Sequence, residues 1–390
     1  MSDALDLFHP EIRLWFRETY GEPTDIQALA WPAIASGRHL LLIAPTGSGK
    51  TLCAFLWALN QLLTGAWSGG ATRVLYVSPL KALNNDIRRN LVHPLREIRR
   101  RLVGEADDGP PVAPDITIMT RSGDTPAEER RRMLRRPPEI LITTPESLNL
   151  LASAPQARET LTGIRTVILD EVHAVASTRR GTHLFTAVER LVPLAGEFQR
   201  LALSATVRPP EVVARLVGGF RLTARGPEPA YERREVTVLE SRLAKQVQLQ
   251  VRFPAAAEAD PGVPPGQGGE AFWHKLVAQI LPRIRANRST LIFTNTRRHA
   301  EKLARLVNEP PGATVAYAHH GPLPKELRLV VESRLKAGQL QAIVATSSLE
   351  LGIDIGELDE VLLVQTPSSV SSALQRIGRS GHAVGAVSRG

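Results

Sequence analysis

Six short aliphatic runs recur through the first part of the chain, and each ends near Pro, Ser, Thr or Asp. They read HLLLIA from residue 39, RVLYVS from 73, DITIMT from 115, EILITT from 139, RTVILD from 165 and RLALSA from 200. Runs this apolar predict strands that are buried on both faces, as in parallel sheets. Amphipathic stretches such as KTLCAFLWALNQLL and HLFTAVERLV separate them. The rhythm therefore predicts an α/β fold with helices on both faces of a parallel sheet.

The rhythm breaks once and then restarts. Residues 254–269, PAAAEADPGVPPGQGG, have no periodicity and indicate a linker or an exposed insertion. Beyond them, amphipathic stretches again alternate with strand-like runs, namely STLIFTNT, TVAYAHH, LQAIVATS and EVLLVQT. With 390 residues and 43% hydrophobic content, the chain is long enough for two cores. We predict a first domain over 1–250, a linker or insertion over 251–270 and a second α/β domain over 271–390.

Composition narrows the class of protein. A single cysteine, Cys53, excludes a disulfide within one chain and indicates a reducing compartment, so we expect a cytoplasmic protein. The amino terminus lacks the basic segment of a signal peptide, and the apolar runs are too short to span a membrane. The net charge of +9 favours polyanionic partners. Only seven of the 48 basic residues are Lys, however, so the excess of Arg can also reflect genome composition.

The strongest motif is APTGSGKT at 44–51, which follows one predicted strand and precedes a helix. This is the context of a phosphate-binding loop, where Gly47 and Gly49 let backbone N–H groups point at phosphate oxygens. We predict that Lys50 reaches the β- and γ-phosphates of ATP and that the Thr51 hydroxyl is a Mg²⁺ ligand. The competing interpretation is a plain glycine-rich turn. The predicted cofactor-binding residues of the loop are Ala44, Pro45, Thr46, Gly47, Ser48, Gly49, Lys50 and Thr51.

Two further motifs complete a phosphoryl-transfer site. DEVH at 170–173 ends a predicted strand, which places Asp170 to hold Mg²⁺ and Glu171 to orient and deprotonate the attacking water. Two acids at a strand end can instead cap the next helix. QRIGRSGH at 375–382 supplies Arg376 and Arg379, three apart on one helical face, as positive charge for the γ-phosphate. A solvated basic helix end is the alternative for this pair.

The ordered set of motifs resembles that of a superfamily 2 helicase over nearly the whole chain. PTDIQ at 23–27 resembles the Q-motif, SPLKAL at 78–83 motif Ia, TTPES at 143–147 motif Ib, SAT at 204–206 motif III, IFTNTR at 292–297 motif IV, ATSSLELGIDIG at 345–356 motif V, and QRIGRSGH motif VI with its arginine fingers. The resemblance implies two tandem RecA-like domains that close on ATP. It also implies that Gln27 reads the adenine edge and that Gly352 and Asp354 belong to the nucleotide site. The implied strand-contacting residues are Ser78, Pro79, Lys81, Thr144, Pro145, Thr294 and Thr346.

Within the superfamily, SPLKALNNDI, DEVHAV, TSSLELGIDIG and QRIGRSGHAVG resemble the Lhr, or large helicase-related, group. This resemblance implies ATP-dependent 3′-to-5′ movement on DNA and a role in DNA repair. Two alternatives stay open, a DEAD-box-like RNA remodelling ATPase and a non-catalytic scaffold that keeps only the fold. Proteins of the Lhr group are much longer. We therefore expect the sequence to be part of a longer protein, and residues 1–390 to hydrolyse ATP but to unwind duplexes poorly.

Several other residues have competing interpretations. His319 and His320 lack the further ligands of a metal site and indicate a strand–loop junction near the nucleic-acid channel. The run EERRRMLRRPP at 128–138 is a phosphate-tracking helix or a solvated helix face. Phe55, Trp57 and Leu59 lie at helical spacing and indicate core rather than base stacking, and Cys53 indicates a small buried residue.

Overall fold

The computed structural model describes residues 3–79, 81–103, 114–224, 228–243, 246–253, 270–310, 314–321, 323–350, 358–367, 369–381 and 387–390. It divides into two units, Met1–Leu243 and Ala244–Gly390. The predicted linker residues 254–269 lie outside the described residues, and the predicted domain bounds stay a prediction.

The first unit is built on a sheet of seven strands, all parallel where they pair. Its strands along the chain are β1 (His39–Ile43), β2 (Val74–Val77), β3 (Ile118–Arg121), β4 (Ile140–Thr143), β5 (Thr166–Leu169), β6 (Gln199–Ser204) and β9 (Val236–Glu240). Between β6 and β9, β7 (Phe220–Ala224) and β8 (Ala230–Arg233) form a separate antiparallel hairpin. The order across the sheet is β3-β4-β2-β5-β6-β1-β9. The six predicted strands are confirmed, whereas β9, which pairs with β1 at the sheet edge, is an addition to the prediction.

Helices cover both faces of this sheet. They are α1 (Pro10–Tyr20), α2 (Asp25–Ala35), α3 (Lys50–Leu63), α4 (Lys81–Val103), α5 (Ala127–Arg135), α6 (Pro145–Ser153), α7 (Pro155–Glu159), α8 (Arg179–Glu189), α9 (Val192–Ala195) and α10 (Pro210–Gly218). Alternate residues of one strand enter opposite cores, because side chains of a strand point to opposite faces. In β1, Leu40 and Leu42 pack with α1–α4, while Leu41 and Ile43 pack with α8 and α10. The predicted α/β class is confirmed.

The second unit has a parallel sheet of four strands in the order β12-β13-β11-β14. Its elements are β10 (Val247–Gln248), α11 (Glu270–Ala286), β11 (Thr290–Thr294), α12 (Arg297–Val307), β12 (Ala316–His319), α13 (Lys325–Lys336), β13 (Ala342–Ala345), β14 (Glu360–Val364), α14 (Val370–Ile377) and β15 (Ser388–Arg389). Residues of α11 and α12 pack on the sheet to form a third core. The short strand β10 pairs with β15 in a separate two-stranded sheet.

Parallel strands bring their carboxyl ends to one edge of a sheet, which is where ligands bind in open α/β folds. The motif-bearing loops at 44–49, 78–79, 144 and 170–171 all follow the carboxyl ends of strands in the first unit. The strand order thus collects these loops at one edge. None of the helices in the described part of the chain is long and apolar enough to cross a membrane.

Candidate functional site

The loop between β1 and α3 has the backbone of a phosphate cradle. Gly47 and Gly49 adopt positive φ angles of 85° and 79°, a region that glycine enters without steric cost. Gly49 caps α3, whose first residues are Lys50 and Thr51. The Lys50 ammonium donates to the carbonyl oxygens of Ala44 and, at 2.8 Å, Pro45. The positive end of the helix and the Lys50 charge therefore lie at the same loop.

Residues of the predicted Q-motif brace this loop. The Thr24 hydroxyl donates to the Ser48 carbonyl at 2.9 Å, and the Gln27 amide lies 3.4 Å from the Gly49 carbonyl. Gln27 also accepts from the Thr24 backbone N–H at 2.9 Å in a capping box at the start of α2. A Cβ atom at Gly49 would lie 2.5 Å from Gln27 Nε2, so a side chain there would displace the Gln27 amide. Gln27 is thereby held against the phosphate loop.

Asp170 and Glu171 follow β5 at the same edge. Asp170 is buried, its carboxylate accepts from the Tyr76 hydroxyl, and it accepts from the Glu171 backbone N–H at 2.8 Å. Burial raises the pKa of Asp170 to about 6, and the Glu171 carboxylate adds to the rise, whereas Tyr76 and the Lys50 ammonium act to lower it. Glu171 adopts the left-handed conformation, with φ of 48°, which is uncommon outside glycine. The backbone thus holds the two acids in one strained turn.

The three loops at this edge are joined by direct hydrogen bonds. The Ala44 N–H donates to the Ser204 carbonyl at 3.1 Å, which ties the phosphate loop to the end of β6. The Ser204 hydroxyl lies 3.0 Å from His173 Nδ1, and His173 Nδ1 lies 3.4 Å from the Glu171 carboxylate. A continuous path therefore runs from the phosphate loop through SAT to DEVH.

The predicted strand-contacting residues of the first unit form a second group at this edge. Ser78 is buried and its N–H donates to the Thr143 carbonyl at 3.0 Å, while Thr144 caps α6, whose first residue is Pro145. Lys81 begins α4. Arg180, the second residue of α8, donates to the Pro79 carbonyl at 2.8 Å and to the Glu146 carboxylate at 2.7 Å. One guanidinium therefore joins the segments that resemble motifs Ia and Ib.

In the second unit, Arg376 and Arg379 lie inside the fold, with 5% and 3% of their surface exposed. The Arg376 guanidinium donates to the Glu350 carboxylate at 3.0 Å and lies 5.1 Å from the centre of the Phe293 ring. Arg379 donates to the Glu350 backbone carbonyl at 2.9 Å. The alternative of a solvated basic helix end is therefore wrong. Both arginines are instead gathered on Glu350, within the segment that resembles motif V.

The remaining predicted residues of the second unit have separate positions. Thr294 ends β11 and its hydroxyl donates to the Thr296 carbonyl at 3.1 Å, while the Thr346 N–H donates to the His319 carbonyl at 3.2 Å. Gly352 and Asp354 lie outside the described residues. His319 ends β12 and lies 3.0 Å from Glu332, and the adjacent His320 lies 3.0 Å from Glu301.

Other predictions are confirmed by burial. Phe55, Leu59 and Cys53 are fully buried, and Trp57 packs against the same core. The run at 128–138 includes α5, whose arginines are largely exposed while Met133 is buried. Both interpretations of that helix stay open.

Sequence reasoning missed three residues of the site, namely Tyr76, Arg180 and Glu350. Tyr76 contacts a residue 94 positions away and Arg180 one 101 positions away, so no local motif reports either contact. A weak signal existed for Tyr76, which is the one hydroxyl-bearing residue inside the otherwise aliphatic β2.

Comparison with known proteins gives two family matches. The family model described as DEAD/DEAH box helicase matches residues 24–214, and the one described as helicase conserved C-terminal domain matches residues 273–384.

Individual relatives match the whole chain. The chain is 45% identical to a protein of Mycolicibacterium smegmatis named Lhr helicase/probable uracil glycosylase, with 100% of this chain and 26% of the relative covered. It is 43% identical to ATP-dependent helicase Lhr-Core protein 2 of Thermococcus barophilus, with 100% and 44% covered. The solved structure of Mycobacterium smegmatis helicase Lhr bound to ssDNA and AMP-PNP superposes with a TM-score of 0.83 at 46% identity, covering 100% of this chain and 48% of that one. The chain thus spans less than half the length of these relatives.

Proposed function

This chain belongs to the DEAD/DEAH box helicases and to the Lhr group within them, and on that premise we propose that it is the ATP-driven motor of a DNA helicase. The observation that carries the proposal is that hydrogen bonds join the phosphate loop to Ser204 and Ser204 to His173, whose ring lies 3.4 Å from the carboxylate of the Asp170–Glu171 turn. ATP hydrolysis needs a phosphate cradle, a metal-binding carboxylate and a base in one place. The first unit supplies all three.

The residues at this edge fit ATP and Mg²⁺. Ser48 Oγ is buried and has no hydrogen-bond partner among the described residues, so the loop carries an unused donor where a phosphate would lie. Hydroxyl and carboxylate oxygens are the ligands that Mg²⁺ prefers, and Thr51 and Asp170 supply them. Burial and the Glu171 carboxylate raise the pKa of Asp170, so a nearby cation would stabilise the ionised acids. A bound Mg²⁺ would supply positive charge to these acids and to the phosphates.

Each side chain then has a role in the proposed reaction. The backbone of residues 44–49 holds the phosphates, Lys50 neutralises charge on the transferred phosphoryl group, and Gln27 reads the adenine edge. Glu171 takes the proton of the attacking water. We assign Gly352 and Asp354 to the nucleotide site from the resemblance to motif V. Arg376 and Arg379 supply further positive charge to the phosphoryl group, a role that their shared contact with Glu350 supports by fixing both in one place.

The proposed strand contacts are Ser78, Pro79, Lys81, Thr144, Pro145, Thr294 and Thr346. In the first unit, Arg180 supports this assignment, because it holds Pro79 and the start of α6 together. Such residues contact the phosphate backbone rather than base edges, so binding should depend weakly on sequence. DNA is the proposed strand because the similar Lhr structure carries ssDNA. We infer 3′-to-5′ movement and a role in DNA repair from the resemblance to the Lhr group, and a cytoplasmic location from the single cysteine, which fits a reducing compartment.

The Glu171→Gln variant tests the proposal. Without the carboxylate that activates water, ATP should still bind, while hydrolysis should fall by about 10²-fold or more. The variant should therefore hold a labelled DNA strand in an ATP-dependent complex that the unaltered chain releases. Glu159→Gln, at an exposed position of α7, is the matched control and should behave like the unaltered chain. Rapid turnover by Glu171→Gln would show that another group is the base.

A further inference from the structure

A cleft of about 930 Å³ lies in the first unit, at the edge of the sheet opposite the phosphate loop. It is lined by the residues that begin β1, β5 and β6, by the turn before β1, by α3 and the segment after it, and by the hairpin of β7 and β8. We call it the amino-edge cleft, because it lies where the parallel strands begin. Its volume is in the range of ligand-binding clefts in general. None of the proposed catalytic or strand-contacting residues lines it.

The cleft carries positive charge that other groups leave uncompensated. Arg38 and Arg165 line it, are exposed, and have no ion-pair partner among the described residues. Two of the lining carboxylates are already neutralised, since Glu232 pairs with Arg221 at 2.9 Å and Glu197 with Arg234 at 2.8 Å. The third lining carboxylate is Glu235, against the three further lining arginines Arg38, Arg165 and Arg233. The lining arginines outnumber the lining carboxylates, so the cleft favours binding of an anion.

His39, the first residue of β1, also lines the cleft. Burial lowers the pKa of His39 to about 4, and Arg200 and Arg234 contribute further, against a smaller opposite effect of Glu197. His39 Nδ1 accepts a hydrogen bond from the backbone N–H of Arg200 at 3.1 Å, as a neutral imidazole can. His39 is therefore neutral at pH 7, and the positive charge among the lining residues comes from arginines.

Flat aromatic surface lies beside these cations. Trp57 of α3 and Trp67 after it are partly buried and line the cleft. On the hairpin, the Arg233 guanidinium lies 4.7 Å from the centre of the exposed Phe220 ring. Arginine beside partly exposed aromatic rings is a combination that proteins use for single strands, where phosphates pair with the cations and bases stack on the rings. An acidic peptide would use the arginines and leave the rings without a role.

We propose that the amino-edge cleft binds single-stranded nucleic acid at a second site, separate from the strand contacts at the carboxyl edge. The inference rests on the proposed function, because a helicase that holds one strand at its motor can hold a further stretch of nucleic acid elsewhere on its surface. Arg38 and Arg165 contact phosphates in this site, and Trp67 is the residue on which a base stacks.

The charge-reversal variant Arg38→Glu/Arg165→Glu tests the phosphate contacts. Each phosphate neutralised on a single strand contributes a slope of about −0.7 in log K against log salt, so loss of two contacts should make the slope shallower by about 1.4. The control is Arg96→Glu/Arg100→Glu on α4, an equal change in charge at two exposed arginines that do not line the cleft. Equal effects of the two variants would overturn the proposal. If the first variant unfolds at a lower temperature, Arg38→Gln/Arg165→Gln repeats the measurement with a smaller charge change.

Photocrosslinking of the unaltered chain tests the site without any substitution. An oligothymidylate carrying 5-iodouracil should crosslink to peptides containing Trp67 or the hairpin of β7 and β8, as well as to peptides of the carboxyl edge. Crosslinks at the carboxyl edge alone would overturn the second site and leave the proposed motor intact. Displacement of the cleft crosslinks by poly-glutamate but not by unlabelled oligothymidylate would identify an acidic-peptide site and would also overturn it. ATP hydrolysis measured in the same preparation tests the motor separately.

Discussion

His39 is a residue whose neighbours decide its charge. It begins β1, and burial lowers its pKa to about 4, with Arg200 and Arg234 adding to the fall. An unfolded histidine titrates near 6.5. Between pH 6.5 and pH 4, His39 is protonated in the unfolded chain but stays neutral in the folded chain. The folded state is therefore destabilised as the pH falls through this window, while the full stability is present above it.

The His39→Gln variant should remove this share of the acid sensitivity. Its free energy of unfolding for the first unit should fall less between pH 7 and pH 5 than that of the unaltered chain. Urea unfolding at the two pH values measures the difference. His183→Gln, at an exposed position of α8, is the control and should fall as the unaltered chain does. An equal fall in the free energy of unfolding in all three proteins would show that His39 does not cause the acid sensitivity.

The sequence alone shows the residues proposed to react, whereas the residues that contact and support them could not be predicted from it. Lys50, Asp170 and Glu171 stand in contiguous motifs whose spacing follows from one loop or one strand end. Tyr76 and Glu350 act through contacts that only the folded chain creates, between segments far apart in sequence. A hydroxyl in a buried strand has many possible partners, so its pairing with Asp170 is a property of sheet order rather than of local pattern.

At the scale of elements, the start of α8 is tightly constrained. Thr178 caps the helix by accepting from the Gly181 N–H, and Arg180 reaches out to the segments that resemble motifs Ia and Ib. Gly181 lies against the backbone of Val175, where a Cβ atom would come within 2.1 Å of the carbonyl oxygen. The absence of a side chain therefore lets α8 approach the DEVH turn and fixes the position of Arg180.

The Gly181→Ala variant should destabilise the first unit, although alanine is normally the better helix residue. The clash is with backbone, which cannot rotate away, so a loss of about 1–3 kcal/mol is expected, typical of overpacking. The usual gain of about 1 kcal/mol for alanine over glycine in a helix has the opposite sign. The free energy of unfolding in urea measures which of the two effects is larger. Thr182→Ala, at the next and exposed position, should change stability by less than about 0.5 kcal/mol.

Strands made of continuous aliphatic residues could be predicted from the sequence, whereas strands that mix apolar and polar residues could not. The aliphatic runs of β1, β2, β4, β5 and β6 are buried on both faces, so the sequence shows them directly, whereas the edge strand β3 is only partly buried. In β9 only Val236, Val238 and Leu239 pack against the cores, and the strand is partly exposed at the sheet edge. The β7–β8 hairpin is exposed throughout. A strand that is only partly buried has a short alternation of apolar and polar residues, and a loop can have the same sequence pattern.

At the scale of the whole molecule, the net charge of +9 and the exposed arginines predict backbone-directed strand binding. Binding of single-stranded DNA should weaken steeply with salt, with a slope of about −0.7 for each phosphate neutralised. Affinity for strands of equal length and different base sequence should be nearly equal. Fluorescence anisotropy over a series of salt concentrations measures both quantities. A flat salt dependence would contradict phosphate tracking by the arginine-rich surface.

Composition alone could not establish this partner, because an excess of arginine has more than one origin. The ordered motifs supplied the specificity, and the fold explains why order matters. In the first unit, the phosphate loop, the segments that resemble motifs Ia, Ib and III, and the DEVH turn each follow a parallel strand, so the strand order places these loops at one edge. The sequence could not show how tightly those loops are joined, since the Ser204–His173 contact connects residues 31 positions apart.

The most direct test of the central claim is steady-state ATP hydrolysis by this chain with and without single-stranded DNA. The account predicts hydrolysis that DNA stimulates more than RNA does, and its loss in Lys50→Ala, because the phosphoryl charge is then no longer neutralised. An unchanged unfolding curve for that variant would show that the fold is intact. Hydrolysis by Lys50→Ala at the rate of the unaltered chain, or a rate that no nucleic acid alters, would contradict the account.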